Sequence, residues 1–168
     1  MKRDRLQGSN GMRWMAGLGA VGLLSVAAYL RVFPAYQDYR VQGKVAEVFV
    51  SVDACRAEVS QAMRVTTAPM LSTSLFVCDG GASSGVKISR YLKSIAVRSA
   101  GAITVTLDYR SLSELTQSTN TLTLVPLADA STALGSTDVH KAIVAWRCGD
   151  PKDGTTVPNR YLPADCRG

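Results

Sequence analysis

Apolar residues recur at spacings of four and three from Val41 onward. Val41, Val45, Val48, Val52, Cys55, Val59 and Met63 fall on one face of a helix. Gln42, Lys44, Glu47, Arg56 and Glu58 take the opposite side. The pattern predicts an amphipathic helix over residues 34–64, and its valine stripe needs an apolar surface to lie on. Upstream, residues 14–30 are apolar or small, with hydroxyls only at Ser25 and Tyr29. At roughly 1.5 Å per residue this run is about 25 Å long. Val32 and Phe33 extend it to about 30 Å, the thickness of a hydrocarbon core, with Arg31 snorkelling to the interface. Residues 14–33 therefore read as a membrane span continuous with the amphipathic helix. Pro34 stands at the junction. It lacks an amide hydrogen and its ring crowds the preceding turn, so a kink is expected there.

The period changes downstream. Residues 91–97 form one short run, Ser99-Ala100-Gly101 reads as a turn, and residues 102–108 follow. In that second run Ile103, Val105 and Leu107 alternate with Thr104 and Thr106. Residues 121–125 alternate again, and residues 142–147 are the fourth candidate strand. Such runs, separated by turns, favour an antiparallel meander with one buried face. The polar stretches 111–120 and 129–138 read as loops. One helix followed by consecutive strands argues α+β rather than α/β, with the sheet as the surface the valine stripe needs.

Charge gives the chain a direction. Of the net charge of +6, residues 1–13 supply +3, from Lys2, Arg3, Arg5 and Arg13 against Asp4. A basic segment before an apolar span stays in the cytoplasm and sends the remainder across. The expected organisation is a basic cytoplasmic leader over 1–13, a transmembrane helix over 14–33, an amphipathic stem over 34–64 and a globular head over 65–168. A cleaved signal peptide is the rival, with Ser25-Val26-Ala27-Ala28 as its small-residue site. The helical pattern does not stop there. Gly17-Leu18-Gly19-Ala20-Val21-Gly22 spells a dinucleotide fingerprint, but no strand precedes it. Small residues in a membrane helix more often admit a neighbouring helix.

Catalytic chemistry is thin. His140 is the only histidine, which leaves no His-based triad or His cluster for a metal. It reads as a loop or strand-edge residue. Trp146 reads as a sheet-core residue, and Tyr36 and Tyr39 as interfacial aromatics. Nothing requires a cofactor, and no enzyme is expected. Lys87, Arg90, Lys93 and Arg98 cluster around the first strand, where cations discourage strand pairing. They are also the one candidate stripe for nucleic acid. The four cysteines, Cys55, Cys78, Cys148 and Cys166, favour disulfides in an exported chain over a zinc site, which would want C-x-x-C spacing. Three connectivities are open. Proximity in sequence favours 55–78 and 148–166, each closing a loop that contributes about 3 kcal/mol in the chain-entropy model.

Taken together these residues resemble a type IV pilin of Gram-negative bacteria. The likeness rests on Pro34-Ala35-Tyr36-Gln37-Asp38-Tyr39, the valine-striped stem and the cysteine pair at its end. It also rests on the ending that runs from Trp146-Arg147-Cys148-Gly149 through Tyr161-Leu162-Pro163 to Cys166-Arg167. It covers nearly the whole chain. The resemblance implies a long N-terminal helix on a four-stranded antiparallel sheet, a C-terminal disulfide loop, and polymerisation into pili through helix packing. It further implies roles in adhesion and twitching motility, an inner-membrane stage with the head in the periplasm, and handling by a pilus assembly machinery.

The chain departs from the family pattern at its start. Family members carry glycine before the leader cleavage point, usually phenylalanine after it, and a glutamate at the fifth mature position. The frame set by Pro34 puts cleavage among Gly11, Met12 and Arg13, with Gly17 or Ala16 at the fifth position. The carboxylate thought to pair with a neighbour's terminal amine is missing. Three other classes stand beside a filament subunit, major or minor. One is a DNA-binding minor pilin for natural transformation. The second is a pseudopilin of a secretion system, against which the disulfide-bounded C-terminal loop argues. The third, kept open by the missing glutamate, is an anchored pilin-like protein that does not polymerise. Host surfaces and DNA are further candidate partners.

Overall fold

The structure, a computed structural model, describes residues 9–66, 78, 89–98 and 100–167, with the backbone alone for residues 9–28, 30 and 31. The chain divides into two compact units, Met1–Tyr39 and Arg40–Gly168. Helix α1, Ser9–Val65, contains Pro34 without ending there. In the first unit Tyr29 and Phe33 stack one helical turn apart, with ring centroids 5.3 Å apart. Among the described residues no helix is long and apolar enough to cross a membrane. Most side chains of the expected span lie outside the described residues, as do the leader residues 1–8.

The second unit is organised by the valine stripe. Val41, Val45, Val48, Val52, Cys55, Val59 and Met63 are all buried, none more than 2% exposed. At about 25 cal/mol per Å² of apolar surface, covering each such side chain contributes on the order of 1.5–3 kcal/mol. This packing, rather than intrinsic propensity, holds a valine-rich helix in shape. The covering surface is a four-stranded antiparallel sheet, ordered β1 (Leu92–Val97), β2 (Ile103–Leu107), β3 (Thr121–Leu127) and β4 (Ala145–Cys148). Leu92, Ile95, Ile103, Val105, Leu107, Leu122 and Leu124 turn inward. Thr104 and Thr106 take the alternate face, as a period of two requires. Gly101, at φ +77°, closes the turn between β1 and β2, where its N–H reaches the Arg98 carbonyl at 2.8 Å.

Three details depart from the sequence expectation. Strand β3 runs on through Pro126 to Leu127; the proline ring is buried opposite Trp146 and its carbonyl accepts the Leu134 N–H. Strand β4 begins at Ala145, not at residue 142. The reason lies in its partner. Just past Leu127, Asp129 folds the chain into a tight turn by accepting the N–H groups of Ser131 and Thr132, each at 2.8 Å. Residues 142–144 therefore have little strand to pair with. The loops are also less polar in effect than in composition. Leu112, Leu115 and Leu134 plug the core, and Asn120 donates from Nδ2 to the Leu107 carbonyl at 3.0 Å.

Candidate functional site

The C-terminal segment is built around a strand too short for its neighbour. Strand β4 covers only Leu124–Leu127 of β3. The chain then turns at Asp150, whose Oδ1 accepts the Lys152 N–H at 2.9 Å, and leaves the turn at Gly154 with φ +92°. It returns along the uncovered half of β3. Thr155 Oγ1 accepts the Thr123 N–H at 3.1 Å and Thr156 Oγ1 accepts the Thr121 N–H at 3.0 Å, while the Thr156 N–H donates to the Thr121 carbonyl at 2.8 Å. Edge groups that would otherwise lie open are satisfied.

Two devices fasten this segment. Arg147 donates from Nε to Asp153 Oδ2 at 2.7 Å and from Nη2 to Oδ1 at 2.8 Å. The paired carboxylate holds the guanidinium pKa above its ordinary value. Cys148 is bonded to Cys166, with Cα atoms 4.6 Å apart. The other bridge joins Cys55, on the stem, to Cys78, with Cα atoms 5.1 Å apart. Neither pair closes on the other, and no described cysteine is free.

Between α1 and the C-terminal segment lies a cleft of about 400 Å³. Phe49, Trp146, Pro163 and the Cys148–Cys166 bridge supply apolar walls, and Asp53, Arg56 and Asp165 supply charge. Arg56 lies over the Trp146 ring at 5.5 Å and donates from Nη1 to Asp53 Oδ1 at 2.9 Å. Trp146 packs against the core and also walls the cleft, and it is only partly buried because β4 is the outermost strand.

The remaining residues singled out in the sequence are dispersed. Pro34, Tyr36, Gln37, Asp38 and Tyr39 lie on α1 in the first unit, with Tyr36 and Tyr39 exposed. Gly11, Met12 and Arg13 fall within the α1 backbone, and their side chains lie outside the described residues. Lys87 also lies outside them. Arg90, Lys93 and Arg98 are exposed on and beside β1. His140 occupies an exposed turn at φ +68°, and its N–H donates to the Met63 carbonyl near the end of α1. Among the described residues no cluster of His, Cys, Asp and Glu could hold a metal ion.

Among the described residues the C-terminal segment offers an aromatic-walled cleft, an ion-paired fork and a disulfide. Residues 41–167 match the family described as Pilin (bacterial filament). The chain belongs to the pilin family. A crystal structure of a type IV pilin from Pseudomonas aeruginosa, strain Pa110594, has the same fold. It shares 22% identity at a TM-score of 0.58, over 76% of this chain and 97% of that one. No curated protein matches the chain.

Proposed function

We propose that this chain is a structural subunit of a type IV pilus, major or minor, and not an enzyme. The observation that carries the reading is the stem. One face of α1 from Val41 to Met63 is consumed by its own sheet, and the same helix extends to Ser9 through a segment whose sequence is apolar and preceded by cations. Such a segment suits an inner-membrane anchor, with residues 1–13 cytoplasmic and the head periplasmic. It equally suits a filament core in which neighbouring helices pack. Adhesion and twitching motility follow for the assembled fibre. The other subunits contact the N-terminal helix, and the assembly machinery moves the chain between membrane and fibre. The absent carboxylate at Gly17 or Ala16 removes one device for fixing helix register. More of the register then falls to contacts between heads. The test is to shear cells expressing the chain and identify subunits and mature N-termini in the filament fraction by mass spectrometry. The chain is expected there. Its confinement to the membrane fraction would sink the reading.

A further inference from the structure

The β1 edge of the sheet and the cleft on its β4 side carry opposite charge. On the β1 edge, Arg90, Lys93 and Arg98 are exposed, and none has an ion-pair partner among the described residues. On the β4 side, the cleft sets two carboxylates, Asp53 and Asp165, against the single guanidinium of Arg56. Asp165 is exposed and unpaired among the described residues, and the Asp53 side chain is 62% exposed, with Oδ1 alone engaged by Arg56. The two edges are three strand spacings apart, roughly 14 Å.

We propose that the cleft receives the β1 edge of a second copy of this chain, with the Lys93 ammonium entering between Asp53 and Asp165 and Arg98 or Arg90 at its rim. Three observations select this occupant. The first is charge: an acidic, aromatic-walled cleft suits a cation on a flexible stem. The second is the form of the β1 edge. Its register breaks between Leu92 and Ser94, which puts Lys93 in a bulge. A bulge with a lysine blocks pairing of backbone to backbone, so this edge meets a partner through side chains. The third is symmetry. An edge that fits the opposite edge makes a heterologous contact, and heterologous contacts that do not close into rings generate helical filaments. The proposal rests on the filament reading above and assigns its head-to-head contact.

The experiment uses sheared filaments of the full chain treated with a carbodiimide, which condenses a carboxylate and a neighbouring amine into an amide with loss of water. Peptide mapping is expected to find Lys93 joined to Asp165 or Asp53 in filaments and not in dispersed subunits. Charge reversal by Asp165→Lys is expected to lower filament yield roughly tenfold or more. Lys93→Asp alone should do the same, and the double variant should recover most of the yield. Both residues are exposed, so the variants keep the fold, which intact disulfides under non-reducing conditions confirm. Filaments that form without this link, or at full yield in Lys93→Asp, overturn the contact while leaving the filament reading intact. Absence of the chain from sheared material overturns both. Salt-sensitive duplex DNA binding that disappears in Lys93→Asp, without the link, would assign the cations to nucleic acid and overturn the contact as well.

Discussion

Arg147 meets Asp153 as a fork on a carboxylate, with two nearly equal hydrogen bonds of 2.7 and 2.8 Å that bridge β4 to the turn after it. Asp153 is only 13% exposed at its side chain and Arg147 32%. The fork is planar, so a lysine cannot reproduce it. Arg147→Lys is expected to cost about 1–2 kcal/mol, the lower end of charged hydrogen bonds because the guanidinium is partly open to water. Urea unfolding checks this. A midpoint unchanged from the parent would show that the fork contributes nothing.

The fork bears on the neighbouring disulfide. Removing the bridge by Cys148→Ala with Cys166→Ala is expected to cost about 3 kcal/mol, the chain-entropy value for a loop of this size. The segment should still fold, because the Arg147 fork and the Thr155 and Thr156 bonds to β3 remain. Hydrogen exchange at the Thr121 and Thr123 amides reports this directly. Loss of their protection in the double variant would make the disulfide, not the hydrogen bonds, the determinant of placement.

Helix α1 offers an internal comparison. Met63 is fully buried and Val50 is 69% exposed on the same helix. Met63→Ala is expected to cost about 2–5 kcal/mol, and Val50→Ala to stay within about 0.5 kcal/mol. Denaturant unfolding of the dispersed chain measures both. Similar losses at the two positions would contradict the burial described here.

Acid should weaken the head through two turns. Lys141 and then the Gly135 N–H hold the Asp138 carboxyl below its ordinary value. The N–H groups of Ser131 and Thr132 do the same for Asp129. A carboxyl lowered in the folded chain takes up its proton first in the unfolded chain. Its stabilising contribution is therefore complete above the unfolded value of about 3.9 and shrinks as pH falls through the folded value. Stability measured from pH 7 to pH 3 should stay level from these groups until near pH 4 and then drop. The drop should be shallower in Asp129→Asn with Asp138→Asn. An identical acid slope in parent and variant would refute the assignment.

The parts of this molecule that repeat with a period were legible in its sequence, and the parts that depend on distant encounters were not. Val41 to Met63 announces a helical face by itself, and Ile103, Val105 and Leu107 announce a strand. The limits of β3 and β4 were missed because they depend on where Asp129 turns the chain, and a proline inside a run argues against a strand until its burial is seen. The cleft was hidden for a different reason. Arg56 and Trp146 lie far apart in the chain, and no local pattern marks an arginine that will stack on a given ring. Asp150-Pro151-Lys152-Asp153-Gly154 did carry turn chemistry, which could have brought Asp153 back toward Arg147.

Two glycines should respond to the same substitution with opposite sign. Gly43 lies in the exposed middle of α1, and a Cβ added there meets nothing within 4 Å beyond its chain neighbours and the helix's own backbone. Gly43→Ala removes backbone freedom from the unfolded chain and adds helix propensity, so it should stabilise the dispersed chain by about 0.5–1 kcal/mol. Gly149 is held at φ +82°, a left-handed conformation that alanine adopts at a cost. A Cβ there would also overlap the Cys166 carbonyl, and that group is backbone, fixed by the bridge to Cys148. The carbonyl cannot rotate away as a side chain would. Gly149→Ala should therefore cost more than 2 kcal/mol, the sum expected of a strained φ and a displaced backbone. Thermal unfolding of the two variants beside the parent decides the matter. A stabilised Gly149→Ala would mean that the C-terminal loop closes differently from the arrangement described here.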